Sequence, residues 1–162
     1  MTSFRVRRTA ERVAARQRGV AAIEFALVFS VLFLAVYGVI TFGGVLYVQQ
    51  VISRAAEDGA RAAQLSQTNT APEALKANVL SAIYRSISLS SITPAAAGTT
   101  ASSKEVWIRS KMPPPDVVVT PGKVVIKVTY PYSANPLLPA LPFTGSWMPT
   151  SLSGKATAAT PS

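Results

Sequence analysis

The sequence predicts an α+β protein whose long N-terminal helix crosses a membrane and continues into an extracytoplasmic domain with a second helix and a small antiparallel sheet. Three observations predict it. Phe25 to Val48 is a run of 24 residues without a charge, and 15 of them are Phe, Leu, Ile or Val. Leu75, Val79, Leu80, Ile83 and Ile87 then recur at helical spacing. Finally, Lys123 to Tyr130 alternates in the period of a half-buried strand.

The apolar run comes first because it explains the bulk composition. Hydrophobic residues make up 49% of the chain and the mean hydropathy is +0.30, and both are concentrated in this run. As a helix it rises roughly 36 Å, enough for a hydrocarbon core of about 30 Å. Each large aliphatic or Phe residue contributes around −0.3 to −0.6 kcal/mol to insertion near the bilayer centre. A cleaved secretory signal is the rival reading. Its apolar region is shorter, about 7–15 residues, and the nearest small-residue site here, Ser53-Arg54-Ala55, lies well past the end of the run.

Charge sets the orientation. Residues 1–19 hold six arginines against Glu11, which accounts for more than half of the net charge of +9. The positive-inside rule places this basic leader in the cytoplasm and the C-terminal part outside. A nucleic-acid reading of the arm lacks aromatic interleaving and an attached binding fold, so no nucleic-acid partner is expected. The chain has no cysteine and no histidine, which removes thiol chemistry, imidazole acid–base catalysis and the usual zinc and copper ligands. It also lacks a Ser-x-x-Lys pattern, a Gly-x-Ser-x-Gly elbow and a phosphate loop. No catalytic residue, metal or cofactor is expected, and the chain does not read as an enzyme.

The junction between leader and run carries more information. Arg16-Gln17-Arg18-Gly19-Val20-Ala21-Ala22-Ile23-Glu24-Phe25 places a glycine at the end of the basic arm and a lone glutamate five residues later. An acidic side chain at the edge of an apolar span is costly and calls for a reason. Solvation at the headgroup level is one. The pattern also resembles the processing site of type IV prepilins. That resemblance implies cleavage by a prepilin peptidase between Gly19 and Val20, with Glu24 as the glutamate at the fifth position of the mature chain. Pairing of its carboxylate is expected to fix the register of packed helices. Residues four apart share a helix face, so Glu24 is placed to pair with a new α-amino group at Val20 or with that of a neighbouring subunit.

Downstream, Phe42-Gly43-Gly44-Val45-Leu46-Tyr47-Val48-Gln49-Gln50 is followed by Ala55-Ala56-Glu57-Asp58-Gly59-Ala60-Arg61. With the glycine and glutamate, these segments resemble the TadE-like family of the tight-adherence (Tad/Flp) pilus system. The resemblance is strong over residues 16–65. Phe25 departs from the tyrosine that major pilins of this system favour after the glutamate, and the chain is much longer than a major pilin. It therefore implies a minor pilin or pseudopilin of the bacterial inner membrane with a periplasmic C-terminus. Its implied partners are the prepilin peptidase, a companion pseudopilin, the major pilin, the inner-membrane assembly platform and the lipid bilayer. An unprocessed single-pass envelope scaffold is the alternative.

The expected organisation is a leader at 1–19, a transmembrane and extended helix at 20–65, an α+β domain at 66–158 and a disordered tail at 159–162. Ion pairs Arg54–Asp58, Glu57–Arg61 and Asp58–Arg61 are expected to support the helix beyond the membrane. Ala55, Gly59 and Ala63 form a ridge of small residues for close packing, either on the chain's own domain or on another subunit. After a polar break at 66–70, Thr70-Ala71-Pro72-Glu73 reads as a capping box opening the second helix. Ser88 to Ser103 reads as a loop and Glu105 to Arg109 as a strand. Asp116 to Val119 then forms a hairpin with Lys123–Tyr130 through Thr120-Pro121-Gly122-Lys123, with Gly122 supplying a positive φ. Ser151 to Ala158 is a candidate last strand. The stretch from Pro131 to Pro149 carries five prolines with Leu137, Leu138, Leu141, Phe143, Trp147 and Met148. It is expected to fold over the open sheet face, to dock on a partner or to touch the bilayer.

Overall fold

The computed structural model describes residues 3–66, 71–138 and 147–159, with side chains from Gly19 onward. Helix α1 runs Ser3–Leu65, α2 Pro72–Ser88 and α3 Ala101–Lys111, with a 3-10 turn at Ala95–Ala97 between the last two. Strands β1 (Asp116–Thr120), β2 (Lys123–Tyr130) and β3 (Leu152–Ala159) form an antiparallel sheet in sequence order, with β2 central. The chain divides into two compact units, Met1–Phe42 and Gly43–Ser162. The folded domain therefore begins inside α1, at Gly43, well before residue 66.

In this second unit, α1 offers the sheet a stripe of mostly small side chains. Val48, Ile52, Ala55, Ala56, Ala60 and Ala63 are all buried. The core face of β3 answers with small residues at Gly154, Ala156 and Ala158. A Cβ added at Gly154 would stand 2.7 Å from the Ile52 carbonyl oxygen and 2.8 Å from Ser53 Cα, so strand and helix meet backbone to backbone. Large side chains on β2, Val124, Ile126, Val128 and Tyr130, fill the adjoining space and are all buried. Their partners across the ladder are Ala158, Ala156, Gly154 and Leu152, so each pair sets a large residue against a smaller or flexible one.

Helix α2 packs on α1 through the expected face. Leu75, Val79, Ile83 and Ile87 are buried, and Leu80 is half-buried beside them. Its start differs from expectation. Pro72 occupies the first helical turn, which makes Ala71 the N-cap in an extended conformation (φ −55°, ψ 140°), with no side-chain cap. A residue before proline is held out of the α region, so the proline moves the cap one residue inward and Glu73 falls too early to close the box. Thr70 lies outside the described residues.

The segment read as a strand at Glu105–Arg109 is helical, and the loop ahead of it is correspondingly shorter. Thr100 caps α3 by accepting from the Ser103 backbone N–H at 3.2 Å. Glu105 and Arg109 pair one turn apart at 2.7 Å, and the Arg109 guanidinium lies 3.9 Å from the centre of the Tyr84 ring on α2. Ile108 and Met112, four residues apart, are buried, whereas Val106 is exposed. Five alternating residues satisfy both periods. Here the cap, the i,i+4 pair and the core contact decide for helix. Pro113 to Pro115 then end it.

The sheet follows its expected pattern. Thr120 pairs with Lys123 around Pro121-Gly122, and Gly122 has φ +75°, as a type II turn requires. Strand β3 runs through Ala159, which pairs with Lys123, so the tail begins no earlier than residue 160, outside the described residues. In the proline-rich stretch, Tyr132 is buried and Leu137 and Leu138 approach α1 at Gly44, while Met148 packs against the core. This part covers the helix; residues 139–146, including Leu141 and Phe143, lie outside the described residues.

Candidate functional site: the apolar helix and its leader junction

Within the first unit, the large apolar side chains point outward. Val20 is 63% exposed and Phe25 70%, and Leu27, Val28, Phe29, Val31, Leu32, Phe33 and Leu34 are exposed as well. The span Gly19–Leu65 has a most apolar window of mean hydropathy 2.5, of which 6% is buried. A core helix of a water-soluble protein is mostly buried, and among the described residues this helix is not packed as one. Its length and composition are enough to cross a membrane, which suggests a single-pass membrane protein.

The short hydroxyls within the run, Ser30 and Thr41, are satisfied locally. Ser30 Oγ donates to the Ala26 carbonyl at 2.7 Å and Thr41 Oγ1 to the Tyr37 carbonyl at 2.8 Å. In hydrocarbon an unsatisfied hydroxyl costs several kcal/mol, and bonding back one turn removes that cost. Phe25, Phe29, Phe33 and Tyr37 form a ladder at four-residue steps, with ring centroids 6.0, 6.3 and 6.1 Å apart. The sequence reading missed this stripe, although its i,i+4 spacing was visible.

At the junction, α1 continues through Gly19 without a break, and nothing lies within 4 Å of a Cβ added there. Glu24 is exposed and makes no ion pair among the described residues. The amine proposed as its partner exists only if the chain is cut at Val20.

Farther along, the small-residue ridge faces the chain's own core. Ala55 and Ala63 are fully buried, and a Cβ added at Gly59 would stand 2.8 Å from Ile83 Cγ1 and 3.3 Å from Ile126 Cδ1. The ridge is thus the seam where α1 meets α2 and β2. The expected ion pairs on this stretch do not form. Asp58 instead accepts a 2.7 Å hydrogen bond from Ser86 Oγ on α2. Among the described residues, the ion pairs are Glu73–Lys76 and Glu105–Arg109. A short hydroxyl donor on a packed helix outcompetes an exposed arginine, whose pairing gains little in water. The rival signal-peptide site, Ser53 to Ala55, sits in the middle of this seam. Cutting there would strip Val48 and Ile52 from the core.

No metal-binding group of three His, Cys, Asp or Glu side chains occurs among the described residues. Burial pushes the Tyr130 hydroxyl pKa up to about 12, with a smaller contribution from Tyr132 beside it. Tyr130 donates to the Asn135 carbonyl at 2.9 Å. Burial also raises the Tyr132 pKa, partly offset by the Leu137 backbone; its hydroxyl makes no hydrogen bond of regular geometry. These tyrosines hold the 131–138 loop.

The described residues therefore define a single apolar anchor helix that enters an α+β domain, with a glycine–glutamate junction at its start. Residues 19–61 match the family model described as TadE-like protein. The match opens on Gly19 and closes on the exposed Arg61, next to Ala60 of the buried seam. No curated protein and no solved structure matches the chain.

Proposed function

We propose that this chain is a TadE-like prepilin, cut by a prepilin peptidase between Gly19 and Val20, that serves as a minor pilin or pseudopilin in assembly of an adhesive Tad/Flp pilus. The observation that carries this reading is the TadE-like match beginning at Gly19, on a helix whose large apolar side chains from Val20 to Phe42 are exposed among the described residues. The leader stays in the bacterial cytoplasm, the apolar run spans the inner membrane and the α+β domain lies in the periplasm. Glycine at position 19 lowers local helix stability by about 1 kcal/mol relative to alanine, which eases the unwinding that a peptidase needs.

After cleavage, the Val20 amine and the Glu24 carboxylate lie one turn apart. In apolar surroundings an unpaired carboxylate is penalised, so pairing with its own amine or a neighbour's fixes the register of packed helices. Partners are a companion pseudopilin, the major pilin and the inner-membrane assembly platform, which meet the outward face of the run.

Intact mass of the protein from cells with and without a prepilin peptidase tests the reading. A chain beginning at Val20, seen only with the peptidase and lost on Gly19→Arg, is expected. A chain that keeps residues 1–19 in both strains overturns processing and leaves the unprocessed envelope scaffold. Glu24→Gln should be processed normally but assemble poorly; unchanged pilus assembly would remove the register role.

A further inference from the structure

Three stretches of the second unit reach the level of the last turns of the charge-free run on α1. The Ser91 backbone N–H donates to the Tyr47 hydroxyl at 3.2 Å. Leu138 Cδ1 and Leu137 Cβ lie 3.9 and 4.0 Å from the position of a Cβ on Gly44. The third stretch is located by β3. Gln49 Nε2 donates to the Ser153 carbonyl at 3.0 Å and Gly154 abuts Ile52, so the chain before Leu152 leads toward the same end. There the Thr150 carbonyl accepts from the Ser133 backbone N–H at 3.2 Å.

Each stretch leaves a large apolar side chain in the open. Leu89 is 74% exposed, Leu137 37% and Trp147 77%, beside Leu46 and Tyr47 of α1 itself. The sequence around them is unusual for loops. Ser86 to Ser103 and Pro131 to Gly154 contain no charged residue. The opposite end of the sheet carries Lys123, and Asp116, Lys127 and Lys155 form a charged row across its middle. Loops bathed in water ordinarily carry charge, whereas uncharged loops with exposed Leu, Trp and Tyr suit the bilayer interface.

We propose that the loops at 89–92, 132–138 and 147–150 form an interfacial platform that seats the domain on the leaflet from which α1 emerges. The occupant of this surface is the lipid bilayer. It is argued from the platform's continuity with the apolar run that ends at Val48, and so rests on the membrane-crossing reading of that run. Leu89 and Leu137 enter the headgroup–acyl boundary, and Trp147 and Tyr47 act as amphipathic belt residues.

The chain has no cysteine, so single-cysteine variants label cleanly. Leu89→Cys, Trp147→Cys, Lys123→Cys and Phe29→Cys chains carry an environment-sensitive fluorophore in vesicles of phosphatidylethanolamine and phosphatidylglycerol. Nitroxide lipids labelled either near the headgroup or deep in the acyl chain serve as quenchers. Lys123 is the distant control, seven residues along β2 from Tyr130, roughly 23 Å. Several-fold stronger quenching by the shallow label is expected at positions 89 and 147 than at 123, with position 29 quenched by the deep label. Trp107→Phe leaves Trp147 as the intrinsic probe and reads the same contact without a fluorophore. Positions 89 and 147 as weakly quenched as 123, with position 29 still quenched, would overturn the platform and spare the spanning helix. Loss of quenching at position 29 would overturn both.

Discussion

One helix, α1, serves two regions with opposite packing needs. Up to Phe42 its large side chains face outward, uncovered by the described residues. From Gly43 onward it presents alanines and Gly59, and the folded domain closes around it. The difference follows from who brings the volume. A helix that must attract lipid or other helices carries bulky Phe, Leu and Val around its surface. A helix that must let a strand touch its backbone carries almost no side chain on that face.

The sharpest way to break this contrast is to truncate one large residue in each region. Ile83→Ala, against the Gly59 seam, should lower domain stability by about 2–5 kcal/mol through lost burial and a cavity. Phe33→Ala in the exposed run should leave the same unfolding transition within about 0.5 kcal/mol. Denaturation of the full chain in detergent, followed by Trp fluorescence, separates them; equal losses would mean that the run also supports the domain core.

The next effect concerns the backbone contact. Gly154→Ala places a methyl against the Ile52 carbonyl and should cost about 1–3 kcal/mol, since backbone yields less readily than a side chain. Gly43→Ala, where nothing lies within 4 Å, should cost nothing measurable and even favour the helix slightly. Thermal unfolding of both variants in detergent gives the comparison. A smaller effect is expected at Thr100→Ala, which removes the N-cap of α3 and about 1 kcal/mol with it. A variant as stable as the parent would show that α3 is held by Tyr84 and Ile108 alone.

The last effect is confined to alkaline solution. Folding raises the Tyr130 pKa from 10.0 to about 12, so the folded state holds its proton more tightly. The resulting stability is fully present below pH 10 and is lost as pH rises toward 12. The Tyr130→Phe chain should show a shallower decline in unfolding midpoint over that window; parallel declines would assign the loss to other groups.

How much of this was legible in the sequence depended on the length of each signal. The apolar run and the eight-residue alternation of β2 were long enough to fix their period, and Gly122 after Pro121 specified its turn. At Glu105–Arg109, five residues fitted both periods, and the deciding cap at Thr100 lay outside the window read. Gly154 was opaque for another reason. A lone glycine in a strand signals close approach without naming the partner, and Ile52 lies about a hundred positions earlier. Asp58 was misassigned because helical spacing reveals neighbours on the same helix and is blind to Ser86 on the next. At the junction, the glycine and glutamate were readable as a pattern, while the aromatic ladder beyond them was overlooked.

The meeting of β3 with Ile52 also sets a schedule for biogenesis. The anchor is synthesised first, but the strand that closes its seam follows Leu65 by 87 residues. At typical elongation rates this separation is on the order of ten seconds. For that interval the helix is complete while its seam at Ile52 and Ser53 still lacks the strand that closes it. A ribosome stalled before Leu152 would therefore leave a product whose long helix is finished and whose domain is unable to close.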